Sequence, residues 1–359
     1  MITSPQLFVM LFVSRMVVSI TYGSVFVGFS ELWDHVNSAV LALFLTWLII
    51  IPIYKLFLID KRMNVFDNLY DLCGVVGKII ILVYSFYFLL ICAHTLGVFE
   101  KFVTVAINPP VSVPSLSFLL IALSCYGALK GLEALARASG FIFVATALAI
   151  VFFALSLIPA IEPVNYKPFV YLENYSVLEG LKFMISQSSC VIALAVLMPM
   201  AKGSHKSGII LWNLGIYSVF IGLIYLIIGT MGDFASTQIF PVYTAAGIGK
   251  FGSLKHLDSI YLGIWISGIF IKLSLFLMLA GEGVKKILGE KSKKISILTF
   301  GAILAVFAFF EDNWSNFCME FIGIGLLYLL FVLAVVIPII LIILKVMKIR
   351  RGRIKFEKY

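Results

Sequence analysis

Charge is scarce in this sequence. Only 13% of the 359 residues are Asp, Glu, Lys or Arg, whereas 62% are hydrophobic, and the mean hydropathy is +1.10. Soluble globular proteins have about 25% charged residues, so this composition excludes an ordinary soluble domain. The long apolar runs also lack the alternation of polar and apolar residues that is typical of membrane β-barrel strands. They therefore predict an all-α polytopic membrane protein.

Paired cysteines and catalytic motifs are lacking as well. The segment KGSHKSG does not have the spacing of a phosphate-binding loop. Since no nucleophile–base pair, no pair of carboxylates within a span and no cluster of metal ligands is found, the sequence predicts no enzyme activity and no cofactor. The cysteines occur singly, without a CxxC pair, and we predict that they pack as small apolar side chains with no disulfide and no metal site: Cys73, Cys92, Cys125, Cys190 and Cys318.

Apolar runs of membrane-spanning length recur from one end of the chain to the other. They predict a single transmembrane domain over residues 1–347, with halves at about 1–160 and 161–347, followed by a basic tail at 348–359. The first run has no basic segment before it, which favours a retained span over a signal peptide. The ten predicted spans are about 5–29, 36–58, 75–98, 113–129, 141–159, 177–200, 209–231, 259–280, 295–310 and 321–346.

The basic residues are concentrated in alternate loops between these runs. One side of the predicted membrane receives most of the Lys and Arg residues, including those of the tail KVMKIRRGRIKFEKY. Because positive residues favour the cytoplasmic side of a membrane, an even number of spans with both termini cytoplasmic is predicted. The same distribution accounts for the formal net charge of +9 without a nucleic-acid partner.

Polar residues interrupt two of the predicted spans. SRMVVSITYGS stands in the first span (14–24) and SQSSC in the sixth (186–190). In a transporter built from two five-span halves, spans one and six are equivalent, and discontinuous helices there line a site near the bilayer midplane. The alternative is an ordinary helix interface in which these side chains bond between helices. We predict a small-molecule site formed by Ser19, Thr21, Tyr22, Gly23, Ser186, Gln187, Ser188 and Ser189.

Two spans also carry a basic residue far from their ends. Lys272 lies about 21 Å from Asp258 and about 15 Å from Glu282 at the helical rise. A charge at such depth costs about 3 kcal/mol, so we expect it to face the protein interior, either for a functional reason or bonded to carbonyls for packing alone. Arg15, in the first span, has three possible roles: it pairs with a ligand carboxylate, pairs with the C-terminal end of a half-helix, or snorkels to the membrane interface.

Other residues in the spans are expected to be structural. His94, in the third span, has no Cys or carboxylate placed with it, and we expect an interior histidine, not a metal ligand. Aromatic residues make up 14% of the chain. Most of them, such as Phe86, Tyr87 and Phe88, are expected to face lipid or the membrane interface.

Several segments resemble one family when they are taken in this order and spacing. There the chain resembles the spore germination permease-like proteins, the B subunits of nutrient germinant receptors, in the amino acid–polyamine–organocation superfamily. Many members of that superfamily have a GxG break in span one, whereas this chain has Val17, Val18 and Ser19, so their ligand contacts do not transfer residue by residue. The segments are MNVFDNLYDLCGVVGKIIILVYSFYFLL, YGALKGLEALARASG, NYKPFVYLENYSVLEGLKFMISQSS, KHLDSIYLGIWISGIFIKLSLFLMLAGEGVKKILG and FFEDNWSNFCMEFIGIGLLY.

The resemblance implies a five-plus-five inverted repeat of about ten helices, discontinuous in helices one and six, as in LeuT-type transporters. It implies a location in the inner membrane of the spore and two partners, an A subunit and a lipoprotein C subunit. The implied role is to bind a small nutrient, such as an amino acid, and to help trigger germination. It further implies that Lys272 stands where sodium-coupled relatives hold an ion, which would make the protein independent of sodium.

Two other functions are compatible with the same sequence. One is an amino-acid or small-metabolite permease that works by alternating access and uses the same site. The other is a pore-forming or structural membrane subunit. A pore predicts a polar face along a whole span, whereas the polar interruptions in this chain lie at two depths only.

Overall fold

In the computed structural model of the protein, residues 2–17, 32–107, 112–167, 174–249, 258–309 and 323–350 are described. This part of the chain is almost entirely helical. Two short strands, β1 (Ile2–Thr3) and β2 (Ala201–Lys202), pair in parallel and join the start of the chain to its second half.

The first half of the described chain forms five helices. Two of them begin with a capping box, in which Thr3 pairs with Gln6 and Asn64 pairs with Asp67. Only Gly131 separates the fourth helix from the fifth, and its φ of 86° is a conformation that glycine adopts without strain. The elements are α1 (Ser4–Met16), α2 (Leu32–Ile59), α3 (Val65–Phe102), a π-helical turn (Val103–Ile107), α4 (Val113–Lys130), α5 (Leu132–Leu157) and two 3₁₀ turns (Ile158–Ala160, Pro163–Tyr166).

In the described part of the second half there are eight helices and a second π-helical turn. That turn precedes Pro338, which has no N–H to continue the helix, and the carbonyl of Leu333 accepts a hydrogen bond from the Tyr84 hydroxyl at 2.5 Å. The elements are α6 (Asn174–Ser186), α7 (Cys190–Leu197), a 3₁₀ turn (Met198–Met200), α8 (Lys206–Met231), a 3₁₀ turn (Gly232–Thr237), α9 (Pro241–Ile248), α10 (Asp258–Leu288), α11 (Glu290–Ala308), α12 (Gly323–Phe331), the π-helical turn (Val332–Val336) and α13 (Ile337–Arg350).

Helix α10 lies at the centre of the bundle. It packs against α1, α3, α4, α5 and α11. All residues from 271 to 280 are buried, which is expected of a helix that is apolar on every side. Glycines permit this close packing: a β-carbon on Gly268 would lie 3.1 Å from Val17 Cγ2, and one on Gly283 would collide with Ser85 Oγ.

Eight helical stretches in the described ranges are long and apolar enough to cross a membrane: Asp34–Ile59, Val65–Ile107, Val113–Lys130, Leu132–Ala160, Val177–Met200, Lys206–Thr237, Tyr261–Leu288 and Gly325–Ile349. The all-α polytopic membrane fold is therefore confirmed. Predicted spans one and nine correspond to α1 and α11. The 13 residues of α1 measure about 20 Å, short of a hydrocarbon core of about 30 Å, and α11 begins with the charged sequence EKSKK. The count of ten spans stays a prediction.

One end of the bundle carries a network of ion pairs: Lys286–Asp67 at 2.6 Å, Lys285–Glu290 at 2.8 Å and Lys293–Glu282 at 2.5 Å. Met200, just before β2, lines the same cavity as Asp67 and Lys286, so the paired strands lie at this end too. Lys345 of α13 reaches Asp60, which lies shortly before α3. The start of α1 and the later part of α13 are therefore found at the same end of the molecule. We refer to it as the polar end.

Candidate functional site

The predicted sixth span is interrupted in the interior of the protein. Helix α6 ends at Ser186 and α7 begins at Cys190. The residues between them form a turn in which the Ser188 amide bonds to the Ile185 carbonyl at 2.8 Å. Ser186, Gln187, Ser188 and Ser189 are all buried. An interrupted helix at membrane depth is tolerated only where it is buried in protein or lines a cavity, and this break satisfies the first condition.

The end of α1 lies close to this break. Val17, the last described residue of this segment, has its carbonyl bonded by the indole Nε1 of Trp265 in α10 at 2.9 Å. This bond provides a partner for one of the carbonyls that the end of a helix leaves unpaired. Ser19, Thr21, Tyr22 and Gly23, the predicted ligand contacts of the first span, lie outside the described residues, and their role stays a prediction.

Arg15 connects α1 to the end of α6. Its Nη2 donates to the Met184 carbonyl at 2.8 Å and to Ser188 Oγ at 3.0 Å. Because the C-terminal end of a helix carries partial negative charge, a guanidinium there is favourable. The side chain is only 3% exposed, and its guanidinium carbon lies 5.8 Å from the centre of the Phe220 ring. This position does not fit the snorkelling alternative and corresponds to pairing with a half-helix.

Two buried hydrogen-bond donors at this centre are unused within the described ranges, one on Arg15 and one on Tyr87. Among the described residues, neither Arg15 Nη1 nor the hydroxyl of Tyr87 has a hydrogen-bond partner, and both atoms are buried. The charge of Arg15 acts on Tyr87 and on the Cys190 thiol, and that thiol lies 3.7 Å from Ser14 Oγ. Leaving a buried donor unbonded costs about 1–3 kcal/mol, so this centre gains stability from any acceptor that enters it.

Lys272 is the second cation of this centre. It lies within the fully buried part of α10 and is 4% exposed. Arg15 and the thiols of Cys92 and Cys190 are within electrostatic range of its ammonium. In the part of the chain that the structure describes, the ammonium forms no ion pair. Two positive charges therefore share the interior between α1, α7 and α10 with no described carboxylate between them.

Gln187 connects the break to α3. Its amide Nε2 lies 2.9 Å from His94 Nε2, and both side chains are buried. As placed, the amide donates and the imidazole accepts, which requires a neutral ring with its proton on Nδ1. His94 is thus an interior histidine that holds a predicted ligand-binding residue in position.

The expectation for the aromatic residues of the third span is partly wrong. Phe86 is 57% exposed, but Tyr87 and Phe88 are both 0% exposed. Consecutive residues of a helix point about 100° apart, so three in a row cannot all face lipid when α3 packs against α10. Sequence reasoning missed Tyr87 and Trp265. The signal that was available is that a phenol or indole within a span needs a partner for its polar group.

The arrangement is chemically suited to holding a small polar molecule by hydrogen bonds and charge. Among the described residues there is no group of three His, Cys, Asp or Glu side chains that could hold a metal ion. The donors are grouped around Arg15, and the amide and hydroxyl groups are grouped at the helix break.

Comparisons with known proteins agree with this architecture. The fold is similar to that of a Na⁺-coupled sialic acid symporter solved in a substrate-bound outward-open state, with a TM-score of 0.64 and 11% sequence identity. The match covers 93% of this chain and 79% of that chain. At such low identity the likeness concerns the fold alone, which is that of a LeuT-type transporter.

No curated protein matches the chain. Residues 1–317 match the sequence model of a family described as spore germination protein. Because this match covers most of the 359 residues, the protein belongs to the spore germination protein family.

Proposed function

We propose that this protein is the transmembrane B subunit of a spore nutrient germinant receptor, which binds a small nutrient and helps to trigger germination. Its proposed partners are the A subunit and the lipoprotein C subunit. The proposed location is the inner membrane of the spore, with both termini cytoplasmic. Family membership supports the role in germination, and the polar end shared by both ends of the described chain supports the orientation.

One observation carries the proposed binding site. A buried helix is interrupted between Ser186 and Cys190 directly beside Arg15, which bonds to its last turn. The nutrient is proposed to lie there, near the membrane midplane, in contact with Gln187, Ser188 and Ser189. The predicted contacts Ser19, Thr21, Tyr22 and Gly23 belong to the same proposal.

The charges of the centre indicate the chemistry of the nutrient. Arg15, Lys272 and Tyr87 offer donors and positive charge, and buried charge without a counter-ion is unfavourable. A carboxylate would accept charge-assisted hydrogen bonds from such a group. We therefore infer that the nutrient carries a carboxylate or a comparable anionic group, as an amino acid does.

Thermal unfolding of the purified chain tests this function directly. A nutrient that binds the folded state raises the unfolding midpoint, so a panel of amino acids, sugars and nucleosides identifies the ligand. We expect an amino acid to stabilise the protein and its carboxamide derivative to have little effect. The absence of any stabilising nutrient would contradict the proposed binding function.

A matched pair of variants tests the position of the site. Gln187→Leu should raise the nutrient concentration for half-response, at which half of the protein has bound nutrient in a titration, about tenfold. This change corresponds to one lost hydrogen bond of about 1.4 kcal/mol. Gln238→Leu makes the same change outside the site, after α8, and should leave the titration unchanged. Equal titrations for Gln187→Leu, Ser188→Ala, Ser189→Ala and the wild type would place the nutrient elsewhere.

A small-metabolite permease is the second candidate, favoured by the likeness of the fold to a symporter. Uptake of a labelled amino acid into proteoliposomes would support transport. Co-purification with an A-type subunit, together with failure of spores to germinate when the gene is deleted, would support the receptor.

A further inference from the structure

A groove lies on the outside of the bundle, away from the candidate site. It has a volume of about 540 Å³ and is walled by α1, α5 and α8. Most of its lining is apolar, with Phe8 and Phe12 from α1, Phe143 and Ile150 from α5, and Leu211 and Val219 from α8. Leu211 is 69% exposed. In an integral membrane protein, an apolar face as open as this one lies against the bilayer.

The length of the groove matches one leaflet of a membrane. Along α8 its lining extends from Ser207 to Val219, which is about 18 Å at the helical rise. Half of a hydrocarbon core of about 30 Å is about 15 Å. A transmembrane helix of another protein would need a groove about twice as long, whereas one acyl chain of one leaflet has the appropriate length.

The groove is polar at one end only. Ser4, Ser204 and Ser207 line that end, where α1 and α8 begin. Lys202 lies two residues before Ser204 and Lys206 directly precedes Ser207, and both lysines are exposed. Neither lysine forms an ion pair with the residues that the structure describes. Basic residues at the headgroup level attract anionic lipids, and serine hydroxyls can donate to a phosphate.

We propose that this groove is a binding site for one anionic phospholipid, whose headgroup lies against Lys202, Lys206, Ser204 and Ser207 and whose acyl chain fills the apolar part. The Trp212 ring, five residues after Ser207, forms part of the wall about 8 Å below the headgroup. Because α1 forms one wall, a bound lipid holds this short helix against α5 and α8. The site is separate from the proposed nutrient site, and either proposal can fail without the other.

Lipid retention by the purified full chain tests the proposal. The probes are phosphatidylglycerol and phosphatidylcholine with identical acyl chains, followed by native mass spectrometry and by thermal unfolding. We expect one tightly retained phosphatidylglycerol per chain and a midpoint several degrees higher with this lipid than with phosphatidylcholine. Equal retention and equal midpoints for the two lipids would overturn the proposal.

Two matched pairs of variants locate the lipid. Ala147→Phe fills the groove, which Ala147 lines, and should abolish retention; Ala145→Phe makes the same change at an exposed position outside the lining and should preserve it. Lys202→Ala with Lys206→Ala should remove the preference for phosphatidylglycerol. Lys291→Ala with Lys294→Ala, at two exposed lysines of α11, should leave it intact. Unchanged retention in Ala147→Phe, together with an unchanged lipid preference in Lys202→Ala with Lys206→Ala, would contradict the assignment.

A photocrosslinking measurement does not require the groove to be filled or its lysines to be removed. A benzophenone side chain replacing Leu211, in the open part of the groove, should react with the lipid acyl chain. Crosslinks to a second copy of this chain, or to another polypeptide, in place of the lipid would overturn the proposal.

Discussion

Buried cations at the polar end and in the interior of this protein differ in their partners. At the polar end, the Lys345 side chain is 5% exposed and its ammonium lies 3.1 Å from Asp60 Oδ2 and 2.7 Å from Asn68 Oδ1. In the interior, and among the described residues, Arg15 donates to a helix carbonyl and a hydroxyl but to no carboxylate, and Lys272 forms no ion pair. Lys345 has a counter-charge supplied by the fold itself, whereas the interior pair has none there.

This difference distinguishes a cation that serves the structure from cations that are available to bind an anionic ligand. A buried charge is costly unless it is paired. Lys345 meets this requirement within the protein, so its role is to connect α13 to the segment before α3. Arg15 and Lys272 meet it only in part, so a ligand with negative charge would complete the interior. Replacing each cation should therefore have different consequences for stability and for nutrient binding.

Arg15→Ala should have the largest effect. It removes the donor to the last turn of α6 and leaves a cavity, which should lower the free energy of unfolding by about 2–4 kcal/mol and abolish the nutrient response. Arg15→Lys, the control, keeps the charge and should retain more of the stability. Unfolding midpoints and nutrient titrations measure both properties. Wild-type stability for Arg15→Ala would show that the hydrogen bonds of Arg15 to the end of α6 do not stabilise the fold.

Lys345→Met should have the second-largest effect on stability. It leaves the Asp60 carboxylate and the Asn68 amide oxygen without their partner, at a cost of about 1–3 kcal/mol. Because this cation lies far from the helix break, the nutrient concentration for half-response should not change. A changed response with intact stability would show that Lys345 is not simply structural.

Lys272→Met should weaken the nutrient response without lowering stability, which is the opposite of the result expected for Lys345→Met. It removes a buried charge and leaves no described carboxylate unpaired, so the unfolding midpoint should be unchanged or higher. The nutrient response should weaken, because the positive charge of the centre is halved. Wild-type binding should be equal in sodium and choline buffers if the ammonium replaces a coupling ion. An unaltered nutrient response would show that Lys272 serves packing alone.

Trp265→Phe should have a smaller effect. A smaller aromatic ring remains, but the hydrogen bond to the Val17 carbonyl is lost, and that loss alone should cost about 1 kcal/mol. If the end of α1 takes part in binding, nutrient affinity should also fall. Trp212→Phe is the control for the smaller ring, because Trp212 Nε1 has no hydrogen-bond partner among the described residues, and it should leave nutrient affinity unchanged.

The smallest effect concerns a histidine at the polar end. His205 is buried, with Nδ1 3.0 Å from Ser4 Oγ. Burial lowers its pKa below the ordinary value of 6.5, although backbone hydrogen bonds with Met198 and Ala201 oppose this. The folded state therefore binds fewer protons than the unfolded state, and stability is lost as the pH falls through about 6.5.

The matching measurement is the unfolding midpoint at pH 7.5 and pH 5.5. Each unit by which the pKa is lowered corresponds to about 1.4 kcal/mol, so the wild type should lose stability at the lower pH. His205→Gln should reduce this loss, since all other titrating groups are common to both proteins. Identical pH dependence in the two proteins would contradict the assignment.

Much of the fold could be predicted because hydropathy is a local property. The all-α membrane class and the interruption at Ser186–Ser189 follow from short stretches of sequence. The helix boundaries were less predictable: the third predicted span begins at residue 75, but α3 begins at Val65 and continues through a kink at Gly74, whose φ is 55°. A capped polar turn at the membrane surface extends the helix without adding an apolar signal.

The partners within the site could not be predicted. Arg15 and Met184 are 169 residues apart in sequence, and Trp265 is 248 residues from Val17. No local pattern reports which distant carbonyl a side chain will reach. Tyr87 was misplaced for the same reason, since it is buried near Arg15 and Cys190, which are distant from it in sequence.

Composition and hydropathy were sufficient to establish a helical membrane protein and to locate the polar break in the predicted sixth span, because each is a property of short segments. The sequence also showed that cations are present within the spans. Only the tertiary structure decided which of them has a counter-charge, because that depends on groups brought together from distant parts of the chain. Lys345 received a carboxylate in this way, whereas Arg15 received the end of a broken helix.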